Sequence, residues 1–346
     1  MPVTMKRVRA AAIAAAVSLL PNLAEAQQAV RIGLGAPTLS FLPIWSGRAL
    51  DTFKPQGLTA SVAALPGGDA SALAALDAGD IDLAAVGPDS MLRAVAKGQP
   101  FEIVYSLMSK VTLQLVVSKD FLERAGVKPT DPMPKRLAAL KGATFGATAL
   151  AGAQEAAARW LAAQGGLDPK NDIKVAQVGS PIAIQAALEA RRIDAFVLSP
   201  PEGFLAERAG TGVVLVSMGD EFPLLAKQPY LVLVAKKPIS PATSELIRKT
   251  VNAMQAASAA VLDKPVETAE AIQKQFFAKA DPQAIASAVK SMSSGVAERG
   301  RIDVEGMKNA LTFNKEVGNN FGKEFDAAAT KDDLWTNSFV DAAKPK

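Results

Sequence analysis

Cysteine and histidine are both missing from the 346 residues, and tyrosine occurs only twice. Without cysteine, no disulfide framework holds the fold and no lipidated cysteine tethers the chain to a membrane. Without either residue there is no Ser-His-Asp or Cys-His pair, no imidazole base and no ordinary zinc site. No catalytic residues, cofactor or metal are therefore expected. Long apolar runs are scarce as well. Residues 10–20 are apolar, follow Lys6, Arg7 and Arg9, and precede Pro21 and Ala24-Glu25-Ala26. The run falls short of the roughly 20 residues that span a bilayer, so residues 1–26 read as a cleaved secretory signal peptide. A periplasmic, freely diffusing protein is the expectation.

Excess charge is lacking too. Losing the leader removes Lys6, Arg7, Arg9 and Glu25 from 38 basic and 34 acidic residues, leaving 35 and 33. With so slight a balance and no basic run interleaved with aromatics, nucleic acid is not an expected partner.

What the chain has is length for two lobes and an internal echo at an offset of 112. Ala75-Leu76-Asp77-Ala78-Gly79-Asp80-Ile81-Asp82 returns as Ala187-Leu188-Glu189-Ala190-Arg191-Arg192-Ile193-Asp194. Each copy, 74–90 and 186–202, reads as a helix end, a tight turn, a short buried strand and a proline-containing loop opening the next helix. Two matched α/β units predict two matched lobes. In such sheets ligands sit outside the carboxyl ends of the strands, which makes Gly87-Pro88-Asp89-Ser90 and Ser199-Pro200-Pro201-Glu202 the jaws of a cleft.

Around the echo, strands are predicted at 30–34, 58–64, 101–107, 144–148 and 174–178. The apolar segments 113–117 and 230–235 are read as the two connections crossing between lobes. Residues 128–135, with Pro129, Pro132 and Pro134, are expected to be irregular. Helices are predicted at 241–262, 266–277, 282–292 and 304–317, packing back on the first lobe, with Leu334, Trp335 and Phe339 docking the tail. The division is thus 29–112 for the first lobe, 113–230 for the second, and 231–346 for the return.

Several loops converge on the inferred cleft, and backbone N–H groups at helix starts can hold an anion without arginine. Gly68, Ser90 and Gly152 permit close approach, and Ser40, Ser90 and Ser109 offer hydroxyls. Asp89 and Glu202 can receive an N–H of a ligand or serve as helix caps. Phe41 and Trp45 offer an apolar wall, with core packing an equal reading for Trp45; Arg48 and Lys110 are candidate anion partners or solvated surface.

These pieces, in order, resemble the substrate-binding proteins of ABC importers for nitrate, sulfonate and taurine, a group that includes thiamine-precursor-binding proteins. The matching motifs are Val30-Arg31-Ile32-Gly33, Phe41-Leu42-Pro43, Pro66-Gly67-Gly68, Gly79-Asp80-Ile81-Asp82, Leu140-Lys141-Gly142, Gly165-Gly166-Leu167-Asp168-Pro169, Arg192-Ile193-Asp194-Ala195 and the tail from Asp332 to Phe339. The resemblance implies an α/β, two-lobed periplasmic-binding-protein fold of type II, with two hinge strands. It also implies a monomer that closes on a small molecule and hands it to a permease and its ATPase, so that the membrane is met only through the permease. Ligand contacts would fall on Thr38, Ser40, Phe41, Gly68, Asp69, Pro88, Asp89, Ser90, Ala151, Gly152, Ala153, Gln154, Pro201 and Glu202. A sulfonate or carboxylate is the leading ligand and a thiamine-type pyrimidine the alternative. Where sulfonate binders present a Gly-Ser-Thr type loop, Ala151-Gly152-Ala153-Gln154 has lost the hydroxyls. An enzyme or a sensor subunit on the same scaffold are the remaining alternatives.

Overall fold

A computed structural model describes residues 27–150, 152–322 and 334–343. The proposed leader, Ala151, Asp332 and Asp333 lie outside the described residues. The first lobe's strands are β1 (Gln28–Leu34), β2 (Leu58–Ala64), β3 (Leu83–Val86) and β4 (Phe101–Met108). β5 (Gln114–Ser118), β6 (Thr144–Ala147), β7 (Lys174–Gln177), β8 (Ala195–Leu198) and β9 (Gly212–Ser217) follow, and β10 (Leu231–Lys236) returns. Among the described residues they form two five-stranded sheets, ordered β2-β1-β3-β10-β4 and β7-β6-β8-β5-β9. In each, four strands run in one direction and one, β10 or β5, runs against them.

Period-two alternation explains why both faces of each sheet are covered. Leu83 and Ala85 of β3 join Leu231 and Leu233 of β10 in one core, while Ala84, Val86, Val232 and Val234 face another. In the second sheet Ala195 and Val197 of β8 lie in one core, and Phe196 and Leu198 in its opposite. Buried on both sides, these short strands read as continuous apolar runs.

The echo is structural to the residue. β3 and β8 begin 112 positions apart, and each pairs parallel with the first of its sheet's mutually paired parallel strands, β1 or β6. Asp82 accepts the Arg31 backbone N–H at 2.7 Å, and Asp194 accepts that of Thr144 at 2.9 Å. A Cβ on Gly33 would lie 2.5 Å from Ile81 Cδ1, and one on Gly146 would lie 2.6 Å from Ile193 Cδ1. Each glycine thus leaves room for the isoleucine of its echo.

Three expectations need correction. Segments 113–117 and 230–235 are not themselves the crossings: they are β5 and β10, and the chain crosses just before them, in 109–113 and 227–230. The two crossings run side by side, with Gln228 N–H donating to Ser109 O and Val111 N–H to Leu225 O. The proline-rich stretch enters a helix, Met133–Ala138, because Pro134 falls in its first turn, where no intrahelical donor is lost. Strand β9, not read from sequence, fills the edge next to β5.

The C-terminal helices Pro241–Asp263, Pro265–Phe276 and Pro282–Ser293 cover the first lobe. Val304–Glu316 also reaches the second lobe, where Phe313 meets Trp160 and Glu316 accepts the Trp160 indole N–H at 2.7 Å. Leu334 and Trp335 are buried against β4, with Ile103 N–H donating to Leu334 O at 2.9 Å.

Candidate functional site

The loops leaving the carboxyl ends of β1, β2 and β3 form the first jaw. Gly67 and Gly68 have φ of +98° and +77°, conformations that only glycine adopts readily, and they aim the start of the helix Asp69–Ala78 into the jaw. Asp69 Oδ2 accepts the Gly87 N–H at 2.9 Å. Its Oδ1 lies 1.8 Å from where a Cβ on Gly35 would stand, so the carboxylate fits only because position 35 is glycine. Burial pushes the Asp69 carboxyl up to about 6, against the Gly87 hydrogen bond and with the neighbouring Asp89 charge.

Asp89 and Ser90 open the helix Pro88–Ala96 behind buried Pro88. Asp89 pairs with Arg93 at 2.8 Å, and Arg93 also donates to Ser90 Oγ at 3.0 Å. Across the cleft, Glu202 opens the helix Glu202–Ala209 after Pro201, and Gln185 Nε2 donates to its Oε2 at 3.2 Å. Burial raises the Glu202 carboxyl above the ordinary range. The N-cap positions are Gly87 and Pro201, and Asp89 and Glu202 stand in the first turns, where a carboxylate also suits the helix N-terminus.

Gly152 precedes the helix Ala153–Gln164, and a Cβ there would meet nothing nearer than Ala149 O at 3.5 Å. Ala153 is exposed. The Gln154 carbonyl oxygen is taken by the Thr148 N–H and hydroxyl at 2.8 and 2.7 Å, which leaves its amide NH2 to donate.

Other expected contacts have partners or packing of their own. Ser40 and Phe41 are buried, and Trp45 sits in the first-lobe core with Phe41, 5.1 Å from the Phe276 ring. Its indole N–H goes to Thr38 O at 2.7 Å. Packing therefore accounts for Trp45. Ser109 faces Gly295 on the crossing, Arg48 lies over Phe276, and Lys110 bonds Asp220 and Ser294.

Sequence reading missed Gly35, Gln185 and the meeting of Thr112 and Tyr230, from the two crossings, with Ser199 of the second jaw. Thr112 and Ser199 oxygens are 2.9 Å apart, and Ser199 and Tyr230 oxygens 3.0 Å. The available signal was Tyr230 itself, one of two tyrosines, at a crossing between lobes.

The sum is a cleft that sets the carboxylates of Asp69, Asp89 and Glu202 beside the hydroxyls of Ser90, Thr112, Ser199 and Tyr230, with Arg93 paired to Asp89. Among the described residues no group of three or more acidic side chains could hold a metal ion, and no helix is long and apolar enough to cross a membrane.

Two lobes with this strand order and a cleft at the strand ends define a type II periplasmic-binding fold. The chain belongs to the NMT1-like family, whose model matches residues 23–275. A structure from Bordetella bronchiseptica RB50 is 25% identical, with a TM-score of 0.70 over 90% of this chain and 96% of the other. The ligand-binding component of an ABC-type import system from Staphylococcus aureus, solved with zinc bound, is 17% identical, with a TM-score of 0.70 over 92% and 100%. The periplasmic aliphatic sulphonate binding protein of Escherichia coli is 18% identical, with a TM-score of 0.61 over 84% and 85%. No curated protein matches the chain.

Proposed function

We propose that this protein is the periplasmic, monomeric solute-binding component of an ABC importer, and that it binds its cargo rather than transforming it. The ligand is held between the lobes and passed to a permease with its ATPase. Its chemistry is that of a small nitrogen-bearing compound, neutral or cationic, of the aminopyrimidine type, rather than a sulfonate.

One observation carries the ligand class: desolvated carboxylates stand on both jaws, Asp69 on the first and Glu202 on the second. An N–H of the ligand would return to them the hydrogen bonding they lose on burial, whereas an anion would add like charge at low dielectric. The lost hydroxyls of residues 151–154 point the same way. Family membership and the two binding-protein neighbours support the transport role. Closure follows if the ligand binds the closed arrangement better than the open one, as it does when both jaws touch it.

A thermal-shift panel of 4-aminopyrimidine, ethanesulfonate, nitrate and benzoate tests this reading. A ligand at about 100 times its dissociation constant stabilises by about 2.7 kcal/mol. A shift with 4-aminopyrimidine alone is expected; a shift with ethanesulfonate or nitrate and none with the amine would overturn the ligand class.

A further inference from the structure

The helix Glu202–Ala209 belongs to the second lobe by one side and meets the first lobe by the other. Ala206 is buried in the second-lobe core with Val116 and Phe196, and a Cβ on Gly203 would stand 2.7 Å from Val214 Cγ2. Phe204 and Arg208 are four residues apart and therefore share one stripe of the helix. Phe204 packs against the first-lobe core, which includes Ile285, Ala288, Val289 and Met292 of the helix Pro282–Ser293. Arg208 Nε pairs with Asp281 Oδ1 at 2.8 Å, and its Nη1 donates to Gln283 Oε1.

These two helices run antiparallel. At one end Pro200 and Met292 line the same small pocket beside Lys110 of the outgoing crossing; at the other, Arg208 reaches Asp281. Lys110 pairs with Asp220 of the second lobe and donates to Ser294 of the first at 2.8 Å. The near end of the helix pair thus sits at the crossing, and eight residues at 1.5 Å each carry Arg208 about 12 Å farther out. When lobes turn about their crossings, contacts far from the crossings part first. A contact made only when the lobes are together favours that arrangement whether or not a ligand is present.

We propose that Phe204 and Arg208 form a latch that holds the two lobes together in the ligand-free protein. Ligand then adds to a closure that the chain already favours. This inference rests on the reading of the lobes as hinged about the two crossings, and not on the class of ligand. The Arg208 and Asp281 side chains are 45% and 35% exposed, so salt screens their pairing, whereas the Phe204 contact is apolar. The latch has one part that responds to ionic strength and one that does not.

Because the chain has no cysteine, nitroxide labels can be placed by Lys97→Cys in the first lobe and Lys170→Cys in the second, both exposed. Pulsed electron–electron double resonance on the ligand-free protein in 0.1 M NaCl is expected to show one narrow interlobe distance. Phe204→Ala is expected to lower the ratio of closed to open molecules by about tenfold or more and to add a longer distance. Arg208→Met keeps the apolar stem; it is expected to lower the ratio by up to about fivefold and to remove the response to 1 M NaCl. Asp281 is left unaltered because it also caps its own helix, accepting the Ala284 N–H at 2.8 Å. All samples are read below their melting transitions. Unchanged distances in both variants overturn the latch, as does a broad, long distribution in the unaltered protein. A lowered melting temperature with the distance unmoved assigns these residues to folding alone and overturns it too. No ligand enters the measurement, so its failure leaves the ligand reading standing, and failure of the ligand reading leaves the latch standing.

Discussion

In the first lobe the turn before the central strand is made by Gly79 at φ +81°; 112 residues later the same turn is made by Arg191 at φ +58°. Two residues on, Ile81 and Ile193 fill the space left by Gly33 and Gly146, and Asp82 and Asp194 accept a backbone N–H from the first parallel strand. The likeness runs through β3 and β8 and stops where the chain leaves the sheet. There Gly87 gives its N–H to Asp69, while Ser199 gives its hydroxyl to the cluster with Thr112 and Tyr230. Packing holds the two copies alike as far as side chains are buried between layers. Beyond that the loops leave the sheet, and packing between layers no longer constrains what they carry.

The comparison breaks most visibly through ligand binding. Gly152→Trp is expected to remove binding of 4-aminopyrimidine altogether while leaving the melting curve in place, since a Cβ at this position makes only an ordinary contact with Ala149 O at 3.5 Å. Asp69→Asn and Glu202→Gln are each expected to weaken it by about tenfold to a hundredfold, the range for a hydrogen bond to a charged group. Calorimetry that finds one jaw indifferent would make recognition one-sided.

Next in size is a pH effect from Asp69, with the half-buried Glu202 of the second jaw acting in the same direction. The Asp69 carboxyl titrates near 3.8 when unfolded and near 6 when folded, so the native state holds the extra proton between those values. Stability from this group therefore grows as pH falls from above 6 toward 4 and is lost as pH rises through 6, by about 3 kcal/mol. Urea unfolding at several pH values should show this slope, and Asp69→Asn should flatten it.

The shared framework should respond evenly. Asp82→Ala and Asp194→Ala are each expected to cost about 2 kcal/mol, from a charge-assisted bond to a strand N–H. Costs differing by more than about 1 kcal/mol would show that the two aspartates are not equivalent. The smallest effect lies at the turn: Arg191→Gly is expected to stabilise by about 1 kcal/mol and Gly79→Arg to destabilise by a similar amount, both read from melting temperature.

Much of the fold was legible because it follows from local rules. The C-terminal helices lie where proline and aspartate start them, and Ser240, Asp281 and Asp303 accept cap hydrogen bonds from Thr243, Ala284 and Gly306. The echo fixed the place of β3 and β8 through buried periodicity. The crossings were placed a few residues late because apolar β-rich segments do not reveal whether they join sheets or belong to one. Less of the site was legible. Asp69, Asp89, Gly152 and Glu202 stand at helix starts that punctuation marks, but Gly35 and Gln185 matter only through contacts distant in sequence. Trp45 shows the reverse: its place after a cleft loop suggested a ligand wall, and its ring and N–H are occupied by Phe276 and Thr38.

The central claim, that carboxylates on opposing jaws select an N–H-bearing ligand, is tested most directly by titration calorimetry of the unaltered protein at pH 7.5 with 4-aminopyrimidine and with ethanesulfonate. Saturable one-to-one binding of the amine and no heat from the sulfonate is the predicted result. Saturable binding of ethanesulfonate with none of 4-aminopyrimidine would contradict it.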